Sequence, residues 1–257
     1  MSRSYIRVGK DAFDGAVCLR LAGSRRMDEV RWFLGECWKD LGLPEQAQFD
    51  NARELCGWGK AARYLSRVIR FGLRFGVGPV FIPKGEPQCN GSVENFNGWF
   101  QPPRFDRRYT RPGDLRRELA RLQEAVHTQP VHPRLGGKTP AQHRRGLRKR
   151  PARFVVPTDR QPIAAGRVTF IRRVSTAGTV SVLSQSFRVG KRHRGLDLRL
   201  VMDTGRGWLT AYLNGRVCKR WPYKLRNDEL TSNPAAAGGP REHLGHRCGG
   251  GRKTLRS

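Results

Sequence analysis

Hydrophobic periodicity changes once along this chain, at the basic run Arg144–Arg153 that contains Pro151. Before it, short apolar runs alternate with segments of helical spacing. Ala16–Ala22 reads as a buried strand. Met27–Leu41 has apolar side chains at Met27, Val30, Phe33, Leu34, Cys37, Trp38 and Leu41, and Gly42 and Pro44 end it. Gln46–Asp50 reads as a brief strand. Trp58–Phe75 reads as a helix with Leu65, Val68, Ile69 and Leu73 facing inward, and Val77–Ile82 as a strand between Gly and Pro breakers. Val93–Phe100 and Arg111–Thr128 are predicted helices. Such alternation requires an α/β sheet with helices on both sides. Beyond the run only short strands follow: Arg167–Val174, Thr179–Leu183, Ser186–Val189, Asp197–Asp203, Trp208–Leu213 and Arg216–Trp221. Turn signals such as Asn214-Gly215 separate them. The expected organisation is an α/β core over 1–145 and a basic linker over 146–162. A small all-β barrel over 163–225 and a disordered tail rich in Gly, Pro, Ala and Arg over 226–257 follow.

Charge narrows the partners. The 257 residues carry a net charge of +29, and residues 1–97 account for only +4 of it. Residues 98–153 and 154–225 each carry +11. A field of this size attracts polyanions and makes association salt-dependent, so nucleic acid is the expected partner. No apolar run is long enough to span a bilayer, and a membrane is not expected. The cysteines at 18, 37, 56, 89, 218 and 248 form no Cys-x-x-Cys pair. That argues against a zinc ribbon or a disulfide framework. Reduced thiols fit a cytoplasmic, nucleoid-associated protein.

Against this basic background two carboxylates stand out. Glu94 follows Asn90-Gly91-Ser92, a helix start signal, and Phe96, Trp99 and Phe100 give that helix an apolar face. Asp50 lies in Gln48-Phe49-Asp50-Asn51, where a short strand ends. Two divalent ions about 3.5–4 Å apart can hold the attacking and leaving oxygens of a phosphoryl displacement. Mg²⁺ or Mn²⁺ suits such a site, held by carboxylates brought together from different elements. Either acid could instead be local: Asp50 a strand-end residue, Glu94 an acid favoured by the helix dipole.

The motifs carry a resemblance. Phe49-Asp50-Asn51, together with Pro87-Gln88-Cys89-Asn90-Gly91-Ser92-Val93-Glu94-Asn95-Phe96-Asn97, resembles insertion-sequence transposases and retroviral-type integrases. His132-Pro133-Arg134-Leu135-Gly136-Gly137-Lys138-Thr139-Pro140 resembles their closing segment. The resemblance covers most of residues 1–145. It implies an RNase H-like mixed sheet flanked by helices and a metal-dependent DDE site with Asp50 and Glu94 as catalytic, metal-binding acids. It also implies strand transfer of transposon ends into target DNA, by more than one subunit. The region after residue 160 resembles the small DNA-binding barrel of some of these transposases.

The resemblance also implies a third acid, on the first strand of the core. Counting back from Asp50, that strand falls before Met1. The chain is therefore expected to be N-terminally truncated and weakly active or inactive, with Asp11 in a shortened hairpin as the alternative. DNA contacts are expected from Arg144, Arg145, Arg148, Lys149 and Arg150 in the linker, and from Lys191, Arg192 and Arg194 in a basic turn. Phe170, Phe187, Trp208, Tyr212 and Trp221 read as barrel core, with base stacking as the alternative. A non-catalytic DNA-binding protein is the second functional reading.

Overall fold

The computed structural model describes residues 4–50, 63–83, 93–98, 109, 111–131, 133–145, 147, 162–225 and 230–231. It is a mixed α/β structure. Strands β1 (Tyr5–Lys10) and β2 (Val17–Ala22) form an antiparallel hairpin, in register from Tyr5↔Ala22 to Lys10↔Val17. Successive β2 side chains point to opposite faces, and each face is covered. Cys18 packs on α1 (Met27–Leu41) against Val30, Phe33, Cys37 and Trp38. Val17 and Leu19 pack on the other side, against Phe96 of α3 (93–98) and Leu119, Leu122 and Val126 of α4 (Pro112–Thr128). Side chains of α4 also occupy the outer edge of β2. The Leu19 amide donates to Gln123 Oε1 at 2.9 Å, and the His127 ring hydrogen-bonds the Val17 backbone.

After α1, the Gly42 amide closes the helix on the Trp38 carbonyl at φ +86°, a conformation that suits glycine. The chain then forms β3 (Gln46–Phe49), α2 (Arg67–Arg74) and β4 (Gly78–Phe81). Periodicity alone runs this helix from Trp58 to Phe75. Residues 63–66 are not helical, and α2 begins at Arg67, where Ser66 accepts the Ile69 amide at 3.2 Å as an N-cap. Residues 51–62 lie outside the described residues. Helix α5 (Pro140–Arg145) follows α4.

The later strands are β5 (Ile163–Ala164), β6 (Arg167–Arg173), β7 (Thr179–Val182), β8 (Gln185–Arg188), β9 (Asp197–Asp203), β10 (Trp208–Leu213), β11 (Arg216–Pro222) and β12 (Leu230–Thr231). No closed barrel forms among the described residues. Instead a six-stranded sheet runs β11-β10-β9-β6-β4-β3 and joins strands from both parts of the chain. The junction is the parallel pairing of β4 with β6, Val80↔Thr169 and Phe81↔Phe170, with the two Phe rings stacked at 5.4 Å. Strands β3, β4, β6 and β10 run in one direction, and β9 and β11 run against them.

One face of this sheet is the main core. Phe81, Val168, Phe170, Leu198, Leu200 and Leu209 are buried there. Ile69 and Leu73 of α2 and Val180 and Val182 of the β7–β8 hairpin cover them. Each such large side chain contributes about 1.5–3 kcal/mol by leaving water. Helix α2 ties this core to the hairpin layer, since its Val68 and Phe71 belong to the cluster around α1. Of residues 226–257, expected to be disordered, Leu230 and Thr231 pair in parallel with Ile163 and Ala164, and the others lie outside the described residues. Among the described residues no helix is long and apolar enough to cross a membrane.

Candidate functional site

Asp50 is exposed and immediately follows β3, as its position in the sequence predicts. The sheet ladder persists up to it: the Ile82 amide donates to the Phe49 carbonyl at 3.2 Å. The strand is short because Pro44 precedes it and only Ala47 and Phe49 turn inward. Glu94 is exposed in the first turn of α3, and two residues on, Phe96 anchors that helix in the hairpin layer at 7% exposure. The Lys10 ammonium, at the end of β1, lies 5.8 Å from the Phe96 ring centroid. Burial there lowers the Lys10 pKa. Asp50 thus belongs to the six-stranded sheet, and Glu94 to the helix over the hairpin. Among the described residues, no three His, Cys, Asp or Glu side chains form a metal-binding group. Trp99, Phe100, the loop 84–92 and His132 lie outside the described residues.

The upstream acids are engaged in local contacts. Asp11 and Asp14 sit in the turn between β1 and β2. Asp11 Oδ1 accepts the Phe13 amide at 2.8 Å and the Asp14 amide at 3.2 Å, and Asp14 Oδ1 accepts the Ala16 amide at 2.9 Å. Both carboxylates meet Arg144 of α5: Nη2 lies 2.9 Å from Asp11 Oδ2, and Nε lies 2.6 Å from Asp14 Oδ2. Arg144 Nη1 also donates to the Leu41 carbonyl at 2.6 Å. Two segments, the β1–β2 turn and the end of α1, are held by one guanidinium, a planar fork suited to bidentate carboxylate pairing.

Of the other basic residues, Arg145 is exposed at the end of α5. Arg148, Lys149 and Arg150 lie outside the described residues. Lys191, Arg192 and Arg194 are exposed on and beside a single 3₁₀ turn, Lys191–His193. That turn is fixed from beneath. The Gly178 carbonyl accepts the Val189 and Gly190 amides at 2.9 and 3.0 Å, and the Gly195 amide donates to the Val174 carbonyl at 2.9 Å. The charges are therefore presented on a backbone with little freedom, as phosphate contacts require.

The aromatic residues divide. Phe170 is core, at 1% exposure, and Phe187 and Trp221 pack at its margin. Trp208 is 40% exposed and Tyr212 half-buried, on the sheet face away from the core. Each carries an arginine: Arg220 lies 5.9 Å from the Trp208 ring centroid and Arg199 4.8 Å from that of Tyr212. Sequence reasoning missed Arg199 and Arg220, although the alternation of Arg199 with buried Leu198 and Leu200 in Asp197–Asp203 was a usable signal. The thiols stand apart from this chemistry. Cys18 and Cys37 are free and buried between hairpin and α1, and burial, together with the adjoining Cys18 thiol, raises the Cys37 pKa. A thiol in that state is a poor nucleophile.

Compared with known protein families and with curated proteins, the chain matches none. Among solved structures, it is similar to a chain in the cryo-EM structure of the simian T-cell lymphotropic virus intasome in complex with PP2A regulatory subunit B56 gamma. The identity is 14%, over 86% of this chain and 75% of that one, with a TM-score of 0.43. Similarity at that level assigns neither a fold family nor an activity.

Proposed function

We propose that the chain is the catalytic core of a DNA transposase or integrase of the DDE type, RNase H-like in fold, with Asp50 and Glu94 as its metal-binding acids. The observation that carries this reading is the pairing of motif with position. The two acids of the Asp-Asn and Asn-Gly-x-Val-Glu-x-Phe-Asn motifs are both solvent-exposed, one just past a parallel strand and one in the first turn of a later helix. Two exposed carboxylates are hard oxygen donors and fit Mg²⁺ or Mn²⁺. When bound, such an ion would neutralise charge on the phosphodiester under attack. The chain's own part is to hold the acids on two separate elements and to draw in DNA with its basic surface. Transposon ends and target DNA are the proposed partners, in a homo-oligomer at the nucleoid. The later strands, with Lys191, Arg192 and Arg194, serve as the DNA-binding region.

The engagement of Asp11 and Asp14 by Arg144 favours one variant of this reading, in which the copy joins DNA weakly or not at all. It also keeps a second reading alive: a DNA-binding protein without catalysis. Binding of Mn²⁺ separates the two. Electron paramagnetic resonance of the full chain with DNA should show Mn²⁺ binding that Asp50→Asn and Glu94→Gln each abolish, with DNA affinity retained. Any joining activity of the unaltered chain should vanish with it. Mn²⁺ binding that is absent from the unaltered chain, or unchanged by both substitutions, sinks the catalytic assignment in favour of the binder.

A further inference from the structure

The six-stranded sheet has one face in the core; on the other, Arg199, Trp208 and Arg220 are exposed, Thr169, Ile171, Val201 and Tyr212 are half-buried, and Thr210 is buried. On this second face the register lines up Thr169 of β6, Val201 of β9, Thr210 of β10 and Arg220 of β11. The neighbouring row holds Ile171, Arg199 and Tyr212. Trp208 lies on the same face, four residues before Tyr212 along β10. The two acids here, Asp197 and Asp203, stand at the ends of β9 and are already engaged. Asp197 pairs with Arg173 at 3.0 Å, and Asp203 accepts the Arg206 amide at 2.9 Å. Between them the face is cationic and aromatic. Arg220 also donates to Thr210 Oγ1 at 3.2 Å, which holds its guanidinium near Trp208.

We propose that this face binds single-stranded DNA, its bases stacking on Trp208 and Tyr212 and its phosphates meeting Arg199 and Arg220. The chemistry selects the ligand. Flat rings beside guanidinium groups offer stacking and positive charge together, the combination that recognises unpaired nucleotides. In a duplex the base faces are stacked on one another and closed to a side chain. The two rings sit about 13 Å apart along the strand, at ~3.3 Å per residue. Stacked bases are only about 3.4 Å apart, so an extended strand with separated bases fits and a helical stack does not.

The same row has a direction. Asp50 continues the alternation of Gln46 and Gln48 and stands one residue past the ladder, in line with Ile82, Ile171, Arg199 and Tyr212. Four strand spacings of ~4.8 Å put Asp50 about 19 Å from Tyr212. A single strand lying across the sheet would lead from the stacking rings to that carboxylate. This last step rests on the proposed catalytic role of Asp50; the binding face does not.

The test uses the full chain and the fluorescence anisotropy of a labelled oligothymidylate of about 15 nucleotides. A duplex and an oligouridylate of the same length serve as comparisons. Trp208→Leu and Tyr212→Leu keep apolar volume on the sheet but remove the rings. Each should weaken oligothymidylate binding about tenfold and leave duplex affinity and the salt slope of binding unchanged. Trp208→Phe should restore most of the loss. Unchanged oligothymidylate affinity, an equal loss on the duplex, or Leu and Phe binding alike would overturn the proposal. Tighter binding of oligouridylate would overturn the choice of DNA. The two assignments fail separately: absent Mn²⁺ binding removes the catalytic reading, and unchanged oligothymidylate affinity in the ring variants removes the binding face.

Discussion

The Arg144 guanidinium meets oxygens of Asp11, Asp14 and Leu41, from two segments more than a hundred residues upstream. The Asp14 carboxylate is almost wholly buried, and Arg144 is its ion-pair partner. Removing one side of a buried pair leaves an uncompensated charge, at a typical cost of about 3–5 kcal/mol. Arg144→Ala should therefore lower unfolding stability by about 3 kcal/mol in a urea titration. Asp11→Ala, at a more exposed carboxylate, should cost no more than about 1 kcal/mol. Equal losses would mean that Asp11 rather than Asp14 carries the contact. Nothing in the sequence reveals this. Arg144 stands in a run of arginines and lysine that reads as a solvated or phosphate-binding linker, and a partner 130 positions away leaves no local signature. The positions of Asp50 and Glu94 on their elements were legible because local signals mark both boundaries, a strand end and a helix start.

Elements were legible where side-chain alternation and turn chemistry agree. Helix α1, strand β9 and strand β10 begin and end where periodicity puts them. Asn214-Gly215 adopts positive φ at both residues, +50° and +81°, as a tight hairpin turn requires. The β7–β8 hairpin turns on Leu183 and Ser184 instead, both also at positive φ. Neither residue signals a turn, and packing of Leu183 against the core supplies what local propensity lacks. Gly178 belongs to this scale as well. Its φ is +77°, and an added Cβ would lie 2.6 Å from backbone atoms of both Gly190 and Lys191. No side-chain rotation relieves a clash with backbone. Gly178→Ala should cost well over about 1 kcal/mol, read as a lowered thermal midpoint. It should also weaken duplex DNA binding by displacing the 191–194 turn. A variant with unchanged melting and binding would show that the turn can shift at little cost.

At the scale of the whole molecule, charge and sheet connectivity matter most. The net charge of +29 makes duplex binding a matter of counterion release. Replacing Lys191, Arg192 and Arg194 by alanine should reduce the slope of log K against log salt by roughly 2–3, about one per phosphate contact. A slope that stays the same places the duplex elsewhere on the surface. What the sequence could not convey is that β4 and β6 pair. Both strands are visible as short apolar runs, but parallel pairing across a long connection is decided by the whole core and not by either segment. That pairing also sets a schedule for biosynthesis. Val80 and Phe81 are made early, yet the strand that covers them emerges about 90 residues later, on the order of ten seconds at ~5–20 residues per second. Until then β4 has an open apolar edge able to pair with another chain. The nascent protein is thus most prone to aggregate while the segment between α2 and β6 is still on the ribosome.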